Sequence, residues 1–476
     1  MKDFPLFIAG AKATNNFMEI ISPFNGEVVG KVEKADAAAI EQALQNAQEK
    51  FENIMKKMPA HKRADILYAV SEKILTQVEE LALLIAKEGG KPFTDAKIEV
   101  VRAANTIKTC GDEALQLNGE QITMDRSAAG ENHTAFTIRQ GLGPVLAVSA
   151  FNHPLNLICH QVGTAIAAGC TVIVKPASAT PLSCLTLIKF FQDVGLEDGI
   201  INVVTAGGRD MDQLVSDGRI RFLSFIGGAD VGWELRKKIA PGVGIALEHG
   251  GTGTAIVDDT ADLDNAVASI VKGAFYHAGQ VCVSTQRVIA HENIYDELLQ
   301  RLKEAIQKLQ VGDPTDPKTE IGPLINPKEI DRIENIINKA VKQGAEVVLG
   351  AKKLDNNCLE ATLITNVNTE MDIVNTEVFG PVLTLSSYSC LKQTVRELNN
   401  SNFSFQSAIY SKNIDRAMYV AKELESKAVI INNTTAFRTD WMPFAASKHS
   451  GMGTGGVKYS IEDLTEEKLI VIKSNL

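Results

Sequence analysis

Three residues of this chain have the chemistry to form, hold and break an acyl bond: Cys282, Glu248 and Asn152. Cys282 stands in Gly279-Gln280-Val281-Cys282-Val283-Ser284. A thiolate attacks a carbonyl carbon better than a hydroxyl does, and it leaves a thioester that water can cleave. A lone cysteine is more often a small buried hydrophobe, so Cys282 takes its meaning from the rest of the chain. Glu248 lies in Ala246-Leu247-Glu248-His249-Gly250-Gly251, where a strand meets a glycine turn. A carboxylate there could activate water if burial raised its pKa. Asn152 follows an apolar strand and could donate an amide hydrogen bond to an oxyanion. Singly, each reads as a turn residue; together they are the parts of an acyl-transfer site.

The elements that must position them read as α/β. From Gly143 to Val204 the apolar runs Val145–Val148, Thr171–Val174 and Ile200–Val204 alternate with a small-residue helix, Gly163 to Ala168, and a helix from Leu182 to Val194. Apolar strands alternating with helices predict parallel βαβ units, whose ligands lie beyond the carboxyl ends of the strands. That places Ser149 to Pro154 and Lys175 to Ser178 at a binding edge. The strand Phe222 to Ile226, the turn Gly227-Gly228-Ala229-Asp230-Val231-Gly232 and a helix from Trp233 to Ile239 could set a phosphate at a helix N-terminus. This turn is not the usual GxGxxG, and a purely structural role is equally open. Upstream, residues 6 to 32 predict short strands, Asp36 to Ala86 helices, and Asp95 to Leu117 a further helix. Gly119 to Arg139 is polar with strand-like alternation, the pattern of an arm. A second αβ region spans roughly Gly250 to Asn433, ahead of a glycine-rich tail.

The chain has 476 residues, more than one ordinary core holds, so two or three domains are expected. A formal charge of −10 argues against nucleic acid or an anionic membrane as partner. No apolar run is long enough to cross a bilayer, and the N-terminus lacks a signal-peptide pattern. The seven cysteines are scattered, without metal-ligand spacing. These features predict a cytoplasmic protein with no metal site.

The chain resembles the NAD(P)-dependent aldehyde dehydrogenase superfamily along almost its whole length. The resemblance rests on Phe151-Asn152-His153-Pro154, Val174-Lys175-Pro176, Phe225-Ile226-Gly227-Gly228, Leu247-Glu248-His249-Gly250-Gly251 and Gly279-Gln280-Val281-Cys282. It continues through Glu377-Val378-Phe379-Gly380-Pro381 and Pro443-Phe444 with Lys448, Ser450, Gly451 and Gly453. It implies a Rossmann-like parallel-sheet cofactor domain (1–117 and 141–249), an αβ catalytic domain (250–435) and a β-arm for oligomerisation (118–140 with 453–476). It also implies that NAD or NADP is the cofactor and that the protein is a homodimer or homotetramer. Cys282 would attack the aldehyde, Asn152 and the Cys282 N–H would hold the oxyanion, and Glu248 would activate the hydrolytic water. Lys175 would bind the adenosine ribose and Glu377 the nicotinamide ribose, with Phe151, Phe225, Gly227, Gly228 and Phe379 lining the cofactor.

The chain departs from the family's pattern in ways that bear on specificity. Ser178 stands where many NAD-preferring members carry a glutamate beside the adenosine ribose, so repulsion of a 2′-phosphate is absent and NADP use is expected alongside NAD. Gly455 occupies the place of a second glutamate proposed as a proton relay, leaving Glu248 as the evident base. In the segment corresponding to the substrate tunnel, Arg438 brings a fixed cation able to grip a carboxylate, phosphonate or sulfonate. Phe444, His153, His160 and Arg102 complete that candidate pocket, unless Arg438 instead pairs with Asp440. The resulting expectation is a small anionic or hydroxylated aldehyde, such as succinic semialdehyde, lactaldehyde or phosphonoacetaldehyde. The resemblance lies nearest the lactaldehyde, semialdehyde and phosphonoacetaldehyde branch. Rival readings are a CoA-acylating semialdehyde dehydrogenase, against which Glu248 argues, and a non-catalytic relic, against which Cys282 and Glu248 both argue.

Overall fold

The computed structural model of the chain describes residues 2–207 and 211–474. Its first large sheet runs parallel in the order Gly244–Glu248, Phe222–Ile226, Val145–Val148, Val172–Lys175 and Ile201–Val203. The tail strand Gly451–Met452 closes the Glu248 edge antiparallel. Val145 to Val148 are all buried, because helices cover both faces of the sheet, and a continuous apolar run suits that position. One covering helix, Ala37–Asn53, begins where Asp36 accepts the backbone N–H of Ala39 at 2.8 Å. The second sheet runs Glu346–Leu349, Thr362–Thr365, Val382–Tyr388, Thr285–His291, Gly253–Val257, Gln406–Tyr410 and Ala428–Ile431, parallel except for its first strand. Each sheet has its own apolar core.

Two helices start earlier than the sequence pattern suggests. The small-residue helix extends back to Asn156, through a π-turn at Cys159–Gly163. Gly163 permits this because a Cβ there would come within 2.9 Å of Cys110 Sγ and Ile107 Cδ1. The helix after the glycine turn begins at Ala229, not Trp233, with Gly228 as its extended N-cap. Gly232 resembled a turn residue but is helical. A Cβ there would lie 2.0 Å from His249 Nε2, so this glycine serves close packing.

The arm forms a three-stranded antiparallel sheet in which His133–Gly141 lies between Gln121–Ile122 and Thr465–Lys473. Among the described residues from 453 on, that last strand is the element that pairs with the arm, continued by the Ser474 N–H donating to the Asn132 carbonyl at 2.7 Å. The helix Val457–Asp463 packs Val457 and Ile461 into the core of the first sheet.

A buried ion pair fixes the segment that carries Asn152. Lys91 and Glu99 are both fully buried and joined through Glu99 Oε2. Glu99 Oε1 accepts the N–H groups of Leu155 and Asn156 at 3.0 and 3.1 Å, capping the helix just after Asn152. Glu99→Ala strands the lysine charge and frees both donors. Urea unfolding should show a loss of about 3–5 kcal/mol, and a second change, Lys91→Met, should restore much of it.

Candidate active site

Cys282 is presented by a turn, Tyr276–Gly279, in which His277, Ala278 and Gly279 all take positive φ of 47°, 55° and 69°. For two residues with a Cβ this conformation costs on the order of 1–3 kcal/mol each, strain that a surrounding structure must hold. Gly279 is obligatory, since a Cβ would sit 2.1 Å from the Gly380 carbonyl oxygen. Gln280 braces the turn: its Nε2 donates to the carbonyls of His277 and Pro323, and its Oε1 accepts from Ile325 N. Its own carbonyl accepts the Asn152 side-chain amide at 2.9 Å. Asn152, 4% exposed, is thereby tied to the turn that carries Cys282, with its second amide N–H still to donate.

Glu248 ends the strand Gly244–Glu248 and reaches across to the thiol, its Oε1 3.5 Å from Cys282 Sγ. Burial and then the neighbouring Glu248 push the Cys282 thiol well up, while Arg438 opposes them. Burial likewise raises Glu248, again against Arg438. The resting pair is therefore a thiol donating to a carboxyl group, with a cation nearby that favours the charged form of both. All three line one cavity of about 550 Å³ together with Asn152.

At the substrate end the deciding residue is Asp440. It accepts from Arg102 through both oxygens, at 2.8 and 3.1 Å, from Asn156 at 3.1 Å, and from His160 at 2.9 Å. Although burial acts to raise it, the His160 and Arg102 contacts hold its carboxyl far below the usual range. The alternative in which Arg438 pairs with Asp440 is thus corrected, since Asp440 pairs with Arg102 and His160 instead. Among the described residues no carboxylate lies within ion-pair distance of Arg438. His160 must carry its proton on Nε2 to serve Asp440, so the Arg438 nitrogen 3.5 Å away finds no acceptor there. Arg438 instead stacks on Phe444, 3.6 Å from the ring centre, and its buried Nε has no partner. Arg102 and His153 also line the cavity, but Arg102 is committed to Asp440 and His153 lies 3.2 Å from the Tyr276 hydroxyl.

The other end of the cavity meets the carboxyl edge of the first sheet. Lys175, Phe225, Gly227, Gly228 and Glu377 line it. Phe151 and Phe379 stand edge to face across it, 5.9 Å apart. Ser178 is exposed and does not line this cavity. Glu377 approaches so closely that a Cβ on Gly250 would collide with its carboxyl at 1.7 Å.

A family model described as the aldehyde dehydrogenase family matches residues 8–470. The chain is 34% identical over 474 residues to a 3-sulfolactaldehyde dehydrogenase of Priestia aryabhattai, covering 99% of this chain and 98% of the other. Two solved structures superpose with a TM-score of 0.96. One is aldehyde dehydrogenase 21 of Physcomitrella patens in complex with the product succinate, 32% identical, covering 99% of this chain and 98% of that one. The other is the NADP-dependent glyceraldehyde-3-phosphate dehydrogenase of Bacillus halodurans C-125 complexed with NADP, 33% identical, covering 99% and 100%. The chain belongs to the aldehyde dehydrogenase family. It is an NAD(P)-dependent aldehyde dehydrogenase with the α/β fold of that family.

The residues at the cofactor end of this aldehyde dehydrogenase fit a dinucleotide. Glu377 Oε1 is buried with no partner, an acceptor suited to a ribose hydroxyl. Gly228 opens the helix Ala229–Lys238 without a side-chain cap, leaving backbone donors for a phosphate. Two supporting residues, Gln280 and Asp440, were not assigned roles from sequence. Gln280 lay inside a recognised motif, whereas Asp440 gave no signal beyond its nearness to Arg438.

Burial pushes the Glu377 carboxyl up to about 8, so it holds a proton at neutral pH. Its folded-state pKa exceeds the unfolded value, so its contribution to stability is full below the ordinary carboxylate range and is lost as pH rises through about 8. Ribose hydroxyls would favour the ionised form. Calorimetry at pH 7 in buffers of different ionisation enthalpy should therefore show release of about one proton on NADP binding, absent in Glu377→Gln.

Proposed function

We propose that this enzyme oxidises a short aldehyde bearing an anionic group, which Arg438 grips while Cys282 attacks the carbonyl. The observation that carries this reading is a guanidinium, stacked on Phe444 and without a carboxylate partner, lining the same cavity as the nucleophile. Relatives include lactaldehyde dehydrogenases, whose substrate carries only a hydroxyl, but others support the anionic reading. A sulfolactaldehyde carries a sulfonate, succinate a second carboxylate, and glyceraldehyde 3-phosphate a phosphate.

In this reading the Cys282 thiol gives its proton to Glu248 as sulfur bonds to the aldehyde carbon. The Asn152 amide and the Cys282 N–H then hold the oxyanion of the thiohemiacetal. NAD(P) would be held by Lys175, Glu377 and the Gly227–Gly228 turn and would supply the hydride acceptor. Glu248 passes the thiol proton to solvent and then takes a second from water as the water attacks the thioester; the carbon–sulfur bond breaks, the thiolate regains a proton from Glu248, and the carboxylic acid leaves. A CoA-acylating enzyme would need no such base, so Glu248 beside the sulfur favours hydrolysis. Asn152→Ala should lower kcat by about 10²–10³-fold, measured with saturating cofactor, while leaving the cofactor Kd unchanged.

Ser178 presents no carboxylate to a 2′-phosphate, and we assign the enzyme the ability to use NADP as well as NAD. The arm strand Thr465–Lys473 leaves one edge unpaired and exposes Leu469, Val471 and Ile472. That edge suits pairing in a homodimer or homotetramer. All seven cysteines are unpaired, which suits the cytoplasm, and no helix of the described residues is long and apolar enough to cross a membrane.

Arg438→Leu tests the substrate reading. Because Arg438 also eases ionisation of Cys282 and Glu248, the variant should be slower on every aldehyde, and the informative quantity is a ratio. The preference in kcat/KM for succinic semialdehyde over butanal should fall by roughly 10- to 150-fold, the worth of about 1.5–3 kcal/mol for a charged hydrogen bond. An unchanged ratio would contradict the assignment.

A further inference from the structure

We propose that this enzyme binds a compact anion in a second pocket, behind the Cys282 loop, through Arg287, Thr252 and Ser407. Arg287 lies on the strand Thr285–His291, aligned across the sheet with Thr254 and Ser407. It is 9% exposed, and burial alone pushes its guanidinium down to about 10 with no neighbouring charge to offset the cost. Among the described residues it has no ion pair and no side-chain hydrogen bond. Its nitrogens reach only the solvent of the pocket it lines, so an anion entering that pocket would meet a poorly hydrated guanidinium with no competing counter-charge.

The pocket it lines is polar and distinct from the reaction cavity, although Cys282 borders both. Ser401, Ser404 and Ser426 give it hydroxyls that already bond to backbone, Ser404 also accepting from Ser447. The hydroxyls of Thr252 and Ser407 have no partner among the described residues and remain available as donors. Glu425 is the carboxylate in its wall, and it is neutralised by Lys448 at 2.8 Å. The pocket therefore carries one net positive charge.

Its volume, about 30 Å³, decides the class of ligand. A water-sized group needs roughly 10–15 Å³, so two or three such groups fit. A halide or an anion of formate size meets that limit, and a nucleotide or a phosphorylated sugar does not. An ion there would neutralise Arg287 and tie together the sheet strands that support the nucleophile loop.

Thermal melts of the wild-type enzyme at constant ionic strength, exchanging gluconate for bromide, chloride or formate, read the binding. Tm should rise saturably, on the order of 1–2 °C. The response should persist in Arg438→Leu, which removes the unpaired guanidinium of the reaction cavity, and vanish in Ser407→Leu, which fills the pocket but keeps Arg287. Crystals of the wild-type enzyme soaked in bromide should show an anomalous peak within hydrogen-bonding distance of the Arg287 guanidinium. A response lost in Arg438→Leu, no peak at Arg287, or a carboxylate from a neighbouring subunit occupying the pocket would each overturn the proposal.

Discussion

The contact between Cys282 and Glu248 is the constraint around which the molecule is organised. Its partners come from different sheets: Glu248 ends an outer strand of the first, and Cys282 precedes a central strand of the second. Burial drives each toward its neutral form, yet a neutral thiol is a poor nucleophile and a neutral carboxyl is no base. Setting them 3.5 Å apart lets the proton that leaves one be taken by the other. The strained turn before Cys282, the Gln280 brace and the Asn152 amide bond all hold the sulfur at that distance.

A second carboxylate decides what reaches the sulfur. Asp440 gathers Arg102, Asn156 and His160 from the helix Phe93–Ala114 and the helical run that follows Asn152. The π-turn supplies one of those contacts, since its extra residue lies in the run that presents His160. Paired with Arg102 and His160, Asp440 leaves Arg438 without a carboxylate partner in the cavity. The proposed selectivity for an anionic aldehyde would thus depend on a structural knot that does not itself face the sulfur.

The fold and the family were legible in the sequence because the groups proposed to react sit in short motifs with local causes. Apolar runs as short as Val145–Val148 marked the parallel strands, and the residues just after them marked the binding edge. The Asp440 knot was not legible, because its partners lie 280 to 338 positions away and only packing reveals which cation it accepts. For the same reason the sequence left open whether Arg438 was paired or free. Gly232 misled in another way: a glycine needed for close approach to His249 looks identical to one needed for a turn. Ser178 was singled out by its departure from a pattern, and the structure places it at the surface beyond the cavity.

The most direct measurement is a single-turnover experiment on Glu248→Gln with an anionic aldehyde and NADP, followed by mass spectrometry of the denatured protein. Loss of the base should slow both attack and hydrolysis, the second more severely, because water is the weaker nucleophile. The account predicts a slow stoichiometric burst of reduced cofactor, with an acyl adduct on the peptide that carries Cys282. Continued turnover at the wild-type rate, or an adduct on any other cysteine, would contradict it.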